Sequence, residues 1–317
     1  MSVAGPFRLK PPPGTRIPEG RINGGFYLCN ELGRACSDAT GRNAPMVLQG
    51  TVDRVAGPFG GPALKPDGST GYGVIPLGGN NILNWVTGDA NPRPRTVWMW
   101  VYNPNIGGNG VYFSKGDDFS DSGFLVYTDE SAIIDVKAIG NGNGTANASG
   151  PVSVVPFRWT HVAVTWSGRS NFSTHLPRLY INGIEDTGFN AFQNGGPQDN
   201  DDIYDLHIGH SQYPEGTSGP PFGHSSHYID HFGWDFREYS AAEIRALVYQ
   251  PFSMFAQPRR YWDAHIGAVT FGMVGTGNAA WMAEAIANLS SSGTGTASFT
   301  GHGPNVRRTS STSVITT

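Results

Sequence analysis

Charge is scarce in this 317-residue chain: Asp, Glu, Lys and Arg together make up 15%, and lysine occurs only as Lys10, Lys65, Lys115 and Lys137. The net charge of −4 offers no basic field, so nucleic acid is not an expected partner. No run of 18 or more apolar residues occurs, so no membrane-spanning helix is expected. Cysteine is nearly absent. Cys29 and Cys36 lack CxxC spacing, which removes any zinc argument. The pair would bond if "CNELGRAC" were a hairpin, but a reduced, buried pair is the expectation for a chain assembled in a cytoplasm. Gly-X-Y periodicity and internal repeats are also missing, which excludes collagen and disfavours solenoids and propellers.

What the chain has in quantity is turn chemistry and aromatics. Its 44 glycines and 23 prolines exceed a fifth of the residues, beside 12% aromatics. Short apolar runs punctuated this way predict many short strands. The runs are "YGVIPL", "TVWMWVY", "GVYFSK", "GFLVYT", "AIIDVKAI", "VSVVPF", "WTHVAVTW", "RLYINGI", "IYDLHIGH" and "YIDHFGWDF". "GNGNGTANASG" and "QNGGPQDNDD" between them read as loops. One helix is marked in "SAAEIRALVYQP", where Ser240 and Glu243 form a capping box and Pro251 ends the segment. Its Ile244, Leu247 and Val248 would pack on a sheet.

Residues 1–22 read as an extended, Pro-rich arm, free or laid along a neighbouring subunit, and residues 23–255 as the folded domain. Residues 256–317 read as a tail, rich in Gly, Ala, Ser and Thr beyond residue 264, whose apolar side chains need a partner surface. There "GTGNAAWMAEAIANLSS" fits either a helix capped by Asn278 or two small strands. The N-terminus has no apolar h-region, so no secretory signal is expected. The composition otherwise looks extracellular, which a chain made in a cytoplasm and released by lysis, as virion parts are, would reconcile.

Residues 156–168, "PFRWTHVAVTWSG", carry bulk on both strand faces: Trp159, His161 and Ala163 on one, Val162, Val164 and Trp166 on the other. That pattern suits an interior strand of a sandwich, with one face in the core and one under loops. Asn182-Gly183 in "PRLYINGIED" predicts a two-residue type I′ turn. His161 is then a half-buried structural histidine with a hydrogen-bond partner, since no nucleophile or carboxylate is tied to it by spacing.

"RWTHVAVTWSG…PRLYINGIED" resembles the Trp-x-His-x-Ala-x-Thr…Leu-Tyr-x-Asn-Gly signature of the laminin-G-like, concanavalin A-like jelly rolls. "FYLCNELGRACSDATGRNAPMVLQG" is similar to the family's opening strand and its turn, at Asp38, Gly41 and Asn43. "GPFGGPALKPDGSTGYGVIP" matches its Gly-rich stretch, and "IDHFGWDFREYSAAEIRAL" its closing strand, with Asp230, and helix, with Tyr239 in place of the usual Leu. The resemblance covers roughly residues 23–255 and implies an all-β, two-sheet antiparallel jelly-roll sandwich with one short C-terminal helix. The ending "YQPFSMFAQPRRYW" resembles a Pro-x-x-x-Phe-x-Pro-Arg-Arg-x-Trp phrase of bacteriophage structural proteins. It implies a virion component contacting capsid or tail subunits and further copies of itself.

Fold alone does not name an activity. Sandwich glycosidases of this kind use a Glu-x-Asp-x-x-Glu strand, and none of the eight glutamates here is followed two residues later by Asp. No enzyme is expected. Calcium is the ion that the acidic loops would hold with clustered hard oxygens, through Asp117, Asp118 and Asp121 or through Asp199, Asp201 and Asp202; solvated turn acids are the rival reading. Five histidines fall between His207 and His231, and spacing alone reads them as a chance cluster on an exposed loop. In the long loop from His210 to Tyr228, Tyr213 and Phe222 would stack on sugar rings while His224 and His227 bond hydroxyls. The same two aromatics would equally serve to pin the loop to its own domain.

Overall fold

The computed structural model describes residues 10–13, 15–76, 94–106, 110–116, 123–129, 131–140, 144–167, 177–188, 190–194, 205–211 and 224–255, together with 296–298 and 312–314. The chain divides into two compact units, Met1–Pro258 and Arg259–Thr317.

The first unit opens with β1 (Gly25–Tyr27), β2 (Ala35–Cys36), β3 (Met46–Gln49), β4 (Val52–Ala56), β5 (Pro62–Pro66) and β6 (Tyr72–Ile75). Longer strands follow: β7 (Arg95–Tyr102), β8 (Gly110–Gly116), β9 (Gly123–Thr128), β10 (Ile133–Gly140), β11 (Gly144–Ser153) and β12 (Trp159–Trp166). It closes with β13 (Arg178–Ile181), β14 (Ile184–Glu185), β15 (Asn190–Asn194), β16 (Leu206–Ile208), β17 (Tyr228–Asp235) and the helix α1 (Ala241–Tyr249). Among the described residues, eight strands form a first sheet, β14-β13-β12-β7-β17-β5-β4, with β1 also paired to β17. Nine form a second sheet in the order β15-β11-β10-β9-β8-β16-β6-β3-β2. Every pairing in both is antiparallel. This is the predicted all-β sandwich.

Alternation decides what lies between the sheets. Val162, Val164 and Trp166 of β12 join Val97, Met99 and Val101 of β7 and Phe232 and Trp234 of β17 in the inter-sheet core. Phe113, Phe124, Val126, Leu206 and Ile208 meet them from the second sheet. Each such fully buried side chain contributes about 1.5–3 kcal/mol. The opposite face of the first sheet holds a second apolar layer, where Trp98, Ala163 and Tyr180 meet Ile244 and Leu247 of α1, with Phe252 and Met254 beyond it. Gly233 makes room there, since a Cβ would sit 2.5 Å from the Trp98 ring.

Local predictions are met where chemistry is local. Asn182 (φ 50°) and Gly183 (φ 81°) make the type I′ turn between β13 and β14. The Asn182 side chain also accepts from the His161 backbone N–H at 2.9 Å. Ser240 and Glu243 form the reciprocal capping box of α1. Cys29 and Cys36 are both buried and unbonded.

Three expectations change. "GNGNGTANASG" is not all loop: from Gly144 it is strand β11, hydrogen-bonded to β10 on one side and β15 on the other. Pairing on both edges overrides its poor strand propensity. Residues 10–22, where they are described, do not float free of their own domain. Ile17 and Ile22 are buried in the outer layer of the first sheet, the Ile17 N–H bonds Ala39 O at 2.8 Å, and Asn30 Nδ2 bonds Pro11 O at 2.6 Å. The apolar face left outside the first sheet needs cover, and this segment supplies part of it. Finally, His161 is fully buried rather than half-buried, and neither ring nitrogen has a hydrogen-bond partner.

In the second unit, Thr296–Ser298 (β18) and Thr312–Val314 (β19) form an antiparallel pair. The stretch around Asn278 lies outside the described residues.

Candidate functional site

The outward-facing side chains of the second sheet follow from register. Leu206 and Ile208 of β16 point into the core, so His207 between them points out. It lies opposite Ser114 of β8 and Val74 of β6. Tyr72 shares the outer face with Val74, because Gly73 and Ile75 face inward. The Asp67 carboxylate places Tyr72: it accepts the N–H groups of Ser69 (2.9 Å), Thr70 (2.7 Å) and Gly71 (2.7 Å), winding "PDGSTG" into a turn that delivers the next residue to β6. These bonds hold the Asp67 carboxyl well below the usual carboxylate range.

An isolated bridge between His210 and His224 then brings two more rings onto Tyr72. His210 stacks on the phenol at 4.6 Å between centroids, with His207 at 5.4 Å and His224 at 5.5 Å. His210 and His224 are 4.3 Å apart, and Nδ1 of His207 is 3.1 Å from Nδ1 of His210. Tyr72, His210 and His224 are partly exposed, so the cluster opens to solvent. Burial lowers the basicity of all three imidazoles, His207 to about 4 and His210 to about 3. Their mutual proximity adds to this for His207 and His210, while Asp205 opposes it at His207 and Asp67 at His224. At neutral pH the cluster is therefore an uncharged set of donors and acceptors around one aromatic face.

Of the residues predicted to bind glycan, the structure places His224 in this cluster. His227 is excluded: it is fully buried, with Nδ1 2.8 Å from the Tyr112 hydroxyl, leaving no face for a ligand. Tyr213 and Phe222 lie outside the described residues, as do Asp117, Asp118, Asp121, Asp199, Asp201 and Asp202. Among the described residues no group of three or more His, Cys, Asp or Glu is arranged to hold a metal ion, and no helix is long and apolar enough to cross a membrane. The histidines at 207, 210 and 224 are no chance collection on an exposed loop, because a strand, a bridge and a neighbouring tyrosine gather them. Sequence reasoning missed Tyr72, whose position depends on β6 lying beside β16.

A second polar cluster sits on the outer face of the first sheet. The β17 bulge between Asp230 and Phe232 turns Asp230 and His231 outward together. Lys10 reaches in from the N-terminal segment, forming an ion pair with Asp230 and donating to Pro62 O at 2.8 Å. His231 Nδ1 lies 3.5 Å from Asp230, and His161 meets Trp100 edge-on at 5.4 Å. Phe26, Phe59 and Phe252 close over His231. Burial lowers His161 to about 3 and pushes His231 down as well, against the pull of Asp230. Both side chains of the ion pair are almost wholly buried (2% and 0% exposed), so no substrate reaches it.

The family model of the concanavalin A-like lectin/glucanases superfamily matches residues 77–244. The chain belongs to this superfamily. Among solved structures it is similar to the receptor-binding domain of the botulinum neurotoxin C/D mosaic serotype (TM-score 0.50, 15% identity, 72% of this chain and 51% of that one). It is also similar to domain 4 of an extracellular arabinanase from Geobacillus stearothermophilus (0.47, 15%, 71% and 97%) and to a sialidase of Trypanosoma rangeli (0.49, 16%, 76% and 35%). The chain thus spans about half of the toxin domain and about a third of the sialidase. At such identities the likeness is one of fold. No curated protein matches the sequence.

Proposed function

We propose that this chain is a non-enzymatic, lectin-like module that binds glycans through the Tyr72 cluster and serves as a structural component of a bacteriophage virion. The observation that carries the binding reading is the half-open phenol ring at the centre of three uncharged imidazoles on the outer face of the second sheet. A sugar presents a C–H-rich face for stacking and hydroxyls for hydrogen bonding, and this set of groups answers both. Binding sites commonly combine an apolar surface with a few convergent polar groups in this way. The absence of a Glu-x-Asp-x-x-Glu pattern supports binding without hydrolysis.

The virion reading rests on the "YQPFSMFAQPRRYW" phrase and on the apolar residues of the segment beyond Pro258. Partners would be capsid or tail subunits and further copies of this chain. Calcium at the acidic loops is part of the same proposal.

A glycan array probed with the full chain, with and without chelator, tests the binding. Specific binding lost in Tyr72→Ala supports the site, and no binding to any glycan overturns it. Binding that the chelator abolishes supports the ion, and binding it leaves unchanged removes the ion. Truncation after Pro258 tests the particle role: the shortened chain should fold but fail to join particles.

A further inference from the structure

We propose that Cys29 and Cys36 form an oxidisable dithiol, which a hydroperoxide converts to a disulfide that joins the two sheets covalently. This modification site is independent of the Tyr72 cluster.

The placement comes from register. Tyr27 and Asp38 form an antiparallel bridge, and the Ala39 N–H bonds Phe26 O at 2.7 Å. Continued by two residues, the same register sets Cys29 opposite Cys36. Non-hydrogen-bonded pairs of this kind hold their Cα atoms about 4.5 Å apart, within the roughly 4.4–6.8 Å that a disulfide spans. Both side chains are fully buried in the inter-sheet core. Cys29 follows β1, which pairs with β17 of the first sheet, whereas Cys36 ends β2, which pairs with β3 of the second. A bond between the two sulfurs therefore runs from one sheet to the other.

Arg54 makes the two sulfurs unequal. From β4 its guanidinium donates to Cys29 O (3.3 Å), Gly33 O (2.9 Å) and Cys36 Sγ (3.8 Å). A hydrogen bond with the Cys29 thiol lowers the Cys36 thiol below its ordinary range, and Arg54 adds to this against burial and Glu31. Burial pushes Cys29 well up. Cys36 is thus the attacking thiolate, and Cys29 the thiol that follows. The cover over Cys36 is thin. Gly33, Arg34 and Ala35 are exposed, and β2 is only two residues long at the edge of its sheet. A molecule little larger than water needs only a small opening there.

The chemistry balances with one hydroperoxide. The Cys36 sulfur attacks one peroxide oxygen, the O–O bond breaks, and the other oxygen leaves with the former Cys36 proton as water. Cys36 is then a sulfenic acid. The Cys29 sulfur attacks the Cys36 sulfur, the S–S bond forms and the S–O bond breaks, and the hydroxyl departs with the Cys29 proton as a second water. The dithiol loses two electrons and the peroxide gains them.

The test exposes the folded full chain, freed of reductant, to hydrogen peroxide at neutral pH, blocks remaining thiols with iodoacetamide and digests with trypsin. Cleavage after Arg21, Arg34 and Arg42 puts Cys29 in peptide 22–34 and Cys36 in peptide 35–42, neither of which contains methionine. The two peptides are expected joined, and released by dithiothreitol. The oxidised chain should melt about 5 °C higher than the reduced one, the rise expected for closing a short loop in a chain of this size. In Cys29→Ser, dimedone should trap a sulfenic acid at Cys36, while Cys36→Ser should give no adduct at Cys29. Both peptides recovered alkylated from the folded chain would overturn the proposal, and so would a bond that forms only in urea or between two chains. An unchanged melting midpoint after the bond has formed would overturn its role as a clasp.

Discussion

Two histidine-centred clusters occupy opposite outer faces of this sandwich, and they differ in what covers them. On the first sheet, His161 and His231 lie with Asp230 under the N-terminal segment, the phenylalanines and Trp100. There Lys10 supplies the counter-charge from 220 residues away. On the second sheet, His207, His210 and His224 surround Tyr72 with solvent on one side. Burial lowers imidazole basicity in both places, so a shifted titration by itself does not separate a recognition surface from a sealed seam. Access separates them. The sealed cluster ties down the N-terminal segment through Lys10, and the open one faces solvent.

The largest effect expected is on the sealed side. Asp230→Ala leaves the Lys10 ammonium buried without its partner and should cost about 3–5 kcal/mol in a urea unfolding curve. A paired Lys10→Met, Asp230→Leu change should recover most of that loss. A single substitution costing under about 1 kcal/mol, the range of exposed pairs, would mean that the pair is solvated.

Acid should act next. His161 titrates near 3 in the folded chain against an ordinary 6.5, so the unfolded chain binds more protons between these values. Its contribution to stability is complete above pH 6.5 and is lost as pH falls toward 3. The slope is about 1.4 kcal/mol per pH unit for each such imidazole. His161→Leu should flatten the stability-versus-pH curve by about one proton and leave glycan binding unchanged. An unaltered slope would show that His161 is not charged on unfolding.

On the open side the order of effects reverses. Tyr72→Ala should weaken glycan binding by about tenfold or more, with an unfolding midpoint close to the parent. If it unfolds the protein as Asp230→Ala does, the contrast between the faces disappears. The smallest change expected is local: Ser240→Ala removes the α1 cap at a cost of about 1 kcal/mol without altering binding, read by the same unfolding curve.

Much of the fold was legible in short stretches. The alternation in "WTHVAVTW" placed Val162, Val164 and Trp166 on one face and His161 and Ala163 on the other, as the two cores now show. The site was legible only in part. His224 belongs to the cluster, whereas His227, three residues on, is buried against Tyr112. Parity along a strand says which side chains share a face, but it does not say which face stays uncovered. Nor does spacing bring Tyr72 to His210, since that contact requires β6 to pair with β16. Strand β11 was missed because pairing on two sides can hold Gly, Ala and Asn extended against their own preference.

By itself the sequence determined the parts whose energetics are settled within a few residues: the type I′ turn at Asn182-Gly183, the capped helix and the alternation that builds two facing layers. Only the tertiary structure decided which histidines are sealed and which are open. Burial depends on what arrives from elsewhere in the chain, such as Lys10 over Asp230 or Tyr72 beside His210. Those arrivals follow from long-range packing, which no local pattern encodes.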